Sequence, residues 1–320
     1  MISTRLWNST ALSLSLAGLF FVSVSGCGGK GEGVDDAVVT PAPGEAATAG
    51  GGGGGGSAAA TSEKKPDTAA TETKPTADAA PVKSEGWGTL KGRVVFDSSP
   101  PVMKTLVPKG ATKEQYRDGD VCGKNEIKSQ FAVVDPETKG VRFALIYIPK
   151  PTSVHDDAKK AASSASIEFD QRGCVFDPHV VCVMKGAKLV LKSSDPVGHN
   201  IDAKMRANGA YNKLIAAGQS IDYAPSTAER SPCKVVCDIH PWMSAHWMVL
   251  DNPYFAVTDA KGNFEIKNVP AGTQKVVVWH EALQKGGFLT AASGDAVNVK
   301  ADGETTQEYK IETSKLATEQ

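Results

Sequence analysis

The sequence predicts an all-β protein, a β-sandwich of many short strands inserted in or fused to a second small sandwich and preceded by a disordered tether. Three observations predict this. Beyond Ser166 no segment is convincingly helical, and short Val-, Ile- and Phe-rich runs recur between Gly, Pro, Asn and Asp turn residues, as in a sandwich. Strand-like runs of the same kind lie on both sides of that central module, and the C-terminal set alone is too thin to bury a core. Residues 28 to 85 hold almost no large apolar side chain and include the unbroken run Gly50 to Gly56, so they cannot offset the entropy of ordering.

In order along the chain, residues 1–26 read as an export signal, with Arg5 before an apolar stretch from Ala11 to Val24. Its end, Val24-Ser25-Gly26-Cys27, resembles a bacterial lipoprotein cleavage site, which implies acylation of Cys27 and a membrane anchor in the cell envelope. Residues 27–86 are the tether, a coil of roughly 40 Å root-mean-square span. Residues 87–165 open the flanking sandwich. Gly88 to Phe96 has strand composition and closes at Pro100-Pro101, and Val102 to Ser129 reads as a long loop with one helical turn. Gln130 to Val134 and Val141 to Ile148 read as strands joined by the turn Asp135-Pro-Glu-Thr-Lys-Gly140, and Val154 to Ser166 as a short helix or solvated loop. Residues 166–251 form the central module. There Val180 to Met184 is a continuous apolar run, Lys188 to Lys192 alternates as a half-buried strand does, and Ala245 to Asp251 is the last strand. Residues 252–312 supply two or three strands between Phe255 and His280, then Ala296 to Val299 and Tyr309 to Ile311, and residues 313–320 are a tail.

The net charge of -1, with interspersed signs, excludes an electrostatic case for nucleic acid. No catalytic triad, phosphate loop or carboxylate pair stands in a supporting context, so an enzyme is not expected. The chemistry lies in Cys237-Asp-Ile-His240-Pro-Trp-Met243, read with His199-Asn200. A short turn after a strand can aim Cys237, His240 and Met243 at one point, while His199 comes from a neighbouring loop. Two imidazoles, a thiolate and a weak thioether are the donors that hold one copper ion through two oxidation states.

On those residues the module from 166 to 251 resembles the cupredoxins, Greek-key sandwiches of the plastocyanin and amicyanin type. An early His-Asn precedes a Cys-x-x-His-x-x-Met loop, and Pro241 follows the histidine as in the amicyanin loop. The Gly186 turn after Phe176-Asp-Pro-His179 is similar to the opening strands of that fold. The resemblance implies one type-1 copper, with His199, Cys237 and His240 as strong ligands and Met243 as the axial one. It implies that Asn200 braces the cysteine loop and that electrons pass at the His240 edge. It also implies an electron carrier between redox partners that the sequence does not name. Copper transfer or storage, and a metal-free adhesive scaffold, are the alternatives. Cys233, four residues before Cys237, adds a binuclear copper alternative. It cannot pair with Cys237, since four residues of extended strand span roughly 13 Å against a disulfide limit near 7 Å.

With Cys27 assigned to lipid and Cys237 to metal, Cys122, Cys174, Cys182 and Cys233 remain as disulfide candidates. The preferred pairing is Cys122 with Cys174 and Cys182 with Cys233. His179 reads as a surface or bracing residue, His246 as a strand residue outside the metal loop, and His280 as a rim residue. Trp242 serves either partner docking or packing. Finally, Thr258-Asp-Ala-Lys-Gly-Asn-Phe264 and Glu265 to Val278 resemble the carboxypeptidase regulatory-like, or transthyretin-like, sandwich, whose preceding Gly-x-Val strand is supplied here by Gly92-Arg-Val94. That places residues 87 to 150 and 252 to 312 in one sandwich.

Overall fold

The computed structural model describes residues 85–319. The export signal, the acylation of Cys27 and the tether up to residue 84 lie outside the described residues. The chain opens with β1 (Trp87–Phe96), β2 (Thr105–Val107), α1 (Gly119–Cys122), β3 (Ile127–Lys128), β4 (Leu145–Tyr147) and α2 (Asp156–Ser163). The central stretch holds β5 (Ser166–Gln171), β6 (Phe176–Asp177), β7 (Val180–Met184), β8 (Lys188–Ser193), β9 (His199–Ala203), β10 (Tyr211–Ile215), β11 (Ser220–Tyr223), β12 (Cys233–Val236) and β13 (Ser244–Leu250). It ends with β14 (Phe255–Val257), β15 (Asn263–Pro270), β16 (Gly272–Trp279), β17 (Asp295–Val299) and β18 (Glu304–Ile311). The architecture is all-β. Both helices are short, and α2 buries no residue.

Two central sheets, ordered β10-β9-β12-β13-β7 and β11-β8-β5-β6, enclose the first core. Alternation in β8 sends Leu189 and Leu191 inward, where they join Phe169, Ile201, Val235 and Trp247. Each such side chain stabilises the fold by roughly 1.5–3 kcal/mol relative to exposure.

The flanking strands form two further sheets, β15-β1-β18 and β14-β4-β16-β17. β1 lies between antiparallel β15 and parallel β18, so the first described strand is zipped to the last. Likewise β4, from before the central stretch, lies between β14 and β16 from after it. Their shared core takes Leu90, Val94 and Ile146 from the early segment and Phe264, Val278 and Ile311 from the late one. Gly262 makes the close approach possible. It has φ +78°, and a Cβ there would sit 2.3 Å from the Val94 carbonyl oxygen.

A third core joins the two halves. Val180, Cys182, Met248 and Leu250 face outward from β7 and β13, against Leu145, Tyr147, Val277 and Trp279 of β4 and β16. β7 is therefore buried on both faces, which explains why its sequence is continuously apolar rather than alternating.

The structure corrects two expectations about local structure and covalent links. Gln130 to Val134 is not a strand. Phe131 and Ala132 form a turn, and the stretch makes only the isolated bridge from Val134 to Val141. In the region expected to be a long loop with one helical turn, α1 supplies the turn, but β2 and β3 also pair as a small two-stranded sheet. Of the preferred disulfides, Cys122–Cys174 is formed, with Cα atoms 5.4 Å apart, whereas Cys182 and Cys233 are free. Cys233 pairs in register with Trp247, and Cys182 with Met248. Consecutive residues of one strand point to opposite faces, so the two thiols lie on opposite sides of the sheet and two strands apart.

Candidate metal centre

The centre sits where three neighbouring strands end. β9 and β12 run antiparallel, with Val236 beside Asp202, so the start of β9 lies at the same end of the sheet as the exit of β12. His199 is the first residue of β9, and Cys237 follows the last residue of β12. The loop then folds back into β13. Met243 N–H donates to the His240 carbonyl at 2.9 Å and Cys237 N–H to the Met243 carbonyl at 3.3 Å.

Cys237 Sγ lies 4.0 Å from His199 Nδ1 and 3.8 Å from His240 Nδ1. All three side chains are buried, and their donor atoms converge within 4.8 Å of one another. A sulfur and a nitrogen bound to one small transition ion, at about 2.3 and 2.0 Å, stand at most about 4.3 Å apart. An ion therefore fits between them with little rearrangement. Met243 is buried in the same core. Cys233 belongs to none of the metal-competent groups among the described residues, and its Sγ contacts the Ser231 carbonyl at 3.5 Å.

The far side of each imidazole is held by a carboxylate. His199 Nε2 is 2.9 Å from Asp195 Oδ2, and His240 Nε2 is 2.9 Å from Asp118 Oδ2. With Nε2–H donating to carboxylate, Nδ1 is the nitrogen turned toward the sulfur and the one that would ligate an ion once its proton is lost. Asp195 is itself anchored by the N–H groups of Gly173 and Cys174 at 2.6 and 2.8 Å. Asn200 Oδ1 accepts the Asp238 N–H at 2.7 Å, while its Nδ2 donates to Asp238 Oδ2 at 2.7 Å and Asn212 Oδ1 at 2.9 Å. It thereby pins the first residue after Cys237.

Electrostatics favour a metal-ready thiolate. Burial pushes the Cys237 thiol up, but hydrogen bonds with His199 and His240 outweigh it and bring it down to about 6. Burial lowers His199, but the Asp195 carboxylate and the Cys237 sulfur raise it to about 9. Without metal the pair is a thiolate and an imidazolium, and binding an ion expels the imidazolium proton. The set of two imidazoles and one thiolate is that of a copper-binding electron-transfer centre.

Several residues fall elsewhere than expected. His240 is 0 % exposed and its Nε2 faces Asp118, so the ring edge does not itself reach solvent. His280 is buried rather than on the rim: its Nε2 lies 3.0 Å from the Arg142 carbonyl and its Nδ1 accepts from Ala282 N–H. Trp242 packs and also reaches the surface. Its Nε1 donates to the Cys174 carbonyl at 3.1 Å, and its ring stands 5.2 Å from that of His240. Asp195 and Asp118 were not singled out in the sequence. The Asp195-Pro-Val-Gly-His199 spacing carries a local hint of the first, but Asp118 lies 122 residues from His240 and has none.

No protein-family model matches the chain, and no curated protein matches it. Among solved structures, it is similar to amicyanin from Paracoccus versutus (15% identity, 32% of this chain and 96% of that one, TM-score 0.24). It is also similar to a purple cupredoxin from Nitrosopumilus maritimus (18%, 27% and 99%, TM-score 0.23). A third is the copper-containing nitrite reductase from Thermus scotoductus SA-01 (15%, 26% and 22%, TM-score 0.24), of whose length the chain covers about a fifth.

Proposed function

We propose that this chain is an exported, lipid-anchored type-1 copper protein that carries single electrons between redox partners in the cell envelope. The observation that carries the reading is the buried Cys237 thiol between two inward Nδ1 atoms, each imidazole fixed from behind by an aspartate. His199, Cys237 and His240 would hold one copper, with Met243 as the axial donor. Copper supplies a one-electron couple, and the protein supplies a ligand cage that does not relax between states. Ligands on strand ends, with Asn200, Asp118 and Asp195 behind them, keep the geometry constant. With His240 buried, electron exchange is assigned to Pro241, which is exposed, and to Trp242 beside it. Redox work rather than catalysis is the proposed role. The anchor rests on Cys27, and mass spectrometry of the N-terminal peptide from expressed protein tests its acylation.

Copper(II) loading tests the centre. An intense visible thiolate-to-copper band, lost in Cys237→Ala and reversibly bleached by reductant, supports the electron carrier. A Cu(I)-only or weakly coloured site assigns the chain to copper transfer or storage, and no stoichiometric binding assigns it to a scaffold. Titration to two copper equivalents, repeated with Cys233→Ala, tests the binuclear alternative.

A further inference from the structure

We propose that His179, His246 and Glu281 form a second metal site, for a divalent first-row transition ion such as Zn²⁺, open to a groove shared with the copper loop. One donor atom from each residue lies within 4.8 Å of the others. The residues come from three places that the third core locks together: the turn before β7, the third residue of β13, and the turn after β16. His246 N–H donates to the His179 carbonyl at 2.9 Å, so the two histidine backbones are fixed to each other.

The cluster is not a finished hydrogen-bond network. His179 Nε2 is bonded to Glu281 Oε1, which is all that a structural clamp would need. His246 Nδ1 nevertheless points to the same carboxylate, 3.7 Å from Oε2, too far for a hydrogen bond. It is buried without any partner, and so is His179 Nδ1. Unpartnered buried nitrogens are costly and uncommon, and an ion bridging His246 to Glu281 removes one of them. Burial also holds His246 down at about 4, so the imidazole is a neutral ligand at physiological pH. Burial pushes the Glu281 carboxyl up, but His179 and the other nearby histidines outweigh it, and the group stays ionised.

Two imidazoles and one carboxylate without sulfur make a harder donor set than the one around Cys237, suited to Zn²⁺ or Fe²⁺. Three protein ligands leave coordination positions free for water or a small oxygen donor. His280 cannot fill them, since both of its ring nitrogens are spent on backbone partners. The open side faces a groove of about 1010 Å³, lined by His179, His246 and Glu281 and also by Trp242 and Met243. The inference does not depend on copper occupying the Cys237 centre.

The test uses the full chain carrying Cys237→Ala, which disables the thiolate centre. Zinc titration followed by calorimetry and metal analysis is expected to show one equivalent bound, with a zinc-dependent rise in Tm. Glu281→Gln, and separately His246→Gln, which keeps the side-chain bulk, are each expected to weaken binding about 100-fold and to abolish the Tm rise. The proposal is overturned if the Cys237→Ala chain binds no zinc, or if it binds zinc equally well with either glutamine in place. In the latter case the ion sits on the residual His199 and His240.

Discussion

The aspartates behind the two imidazoles turn an inward-facing histidine pair into a directional ligand set. Asp118→Ala leaves His240 Nε2 buried without an acceptor and frees the ring to rotate. Copper affinity is expected to fall about 10–100-fold, as for other residues that orient ligands, measured by competition against a chelator. Asn200→Ala removes two hydrogen bonds to Asp238 of the cysteine loop and one to Asn212, leaving the loop held from this side only by Asn212 Nδ2 on Asp238 Oδ2. A loss of about 1–3 kcal/mol is expected in urea unfolding. Protonation gives the third residue-scale prediction. The folded Cys237 value, about 6, lies below its ordinary value of 9.0, so its contribution is complete above 9.0 and lost as pH falls through about 6. The folded His199 value, about 9, lies above its ordinary 6.5, so its contribution is complete below 6.5 and lost as pH rises through about 9. Between about 6.5 and 9 the gain from one offsets the loss from the other, so their joint contribution to the metal-free chain is flat there and drops only slightly as pH falls to about 6. Metal affinity should fall below about 6, where the thiolate is protonated. Denaturation midpoints and competition titrations across pH check both. The donors themselves were legible because Cys, His and Met stand at fixed intervals of three in one loop. Asp118 was not, because nothing local to it differs from any surface aspartate.

Among the elements, the segment from β2 to β3 decides access to the centre. It carries Asp118 immediately before α1, and the Cys122–Cys174 link staples α1 to the turn between β5 and β6. The bond closes a separation of 52 residues. Chain-entropy reasoning assigns it about 4 kcal/mol. A Cys122→Ser/Cys174→Ser chain should lose about 2–4 kcal/mol in urea unfolding and admit solvent to His240, read by imidazole exchange in NMR. Peptide mapping without reduction should find Cys122 linked to Cys174, with Cys182 and Cys233 unlinked, because strand register puts those two thiols on opposite faces. That register was hidden from the sequence. The apolar run Val180 to Met184 shows a buried strand but not its neighbour, and pairing β7 with β13 is a long-range choice made by the third core. The strand expected at Gln130 to Val134 is interrupted by a turn at Phe131 and Ala132, which composition does not signal because neither residue is a turn former.

Across the whole molecule, the flanking sandwich is assembled from segments on either side of the copper-type module. β1 has β15 and β18 as its two partners, and β4 has β14 and β16. A fragment that includes Trp87 but stops near Asp251 loses all four partners and about half of the second core. It is expected to be degraded under limited proteolysis rather than to persist, and a stable fragment of that kind would overturn the insertion. The third core gives the two halves a common apolar boundary, with the His179, His246 and Glu281 cluster at its edge.

By itself the sequence determined the all-β class, most strand positions and the copper-type donor set. Those depend on period-two patterning, turn chemistry and ligand spacing, which are properties of short stretches. The tertiary structure alone decided what stands behind each ligand, which cysteines meet, that His240 is buried, and that His179 and His246 converge on Glu281. Each of those outcomes depends on strand register and on sheet stacking between residues tens to hundreds of positions apart. No local periodicity encodes such distances, and the packing of five sheets on three cores sets them.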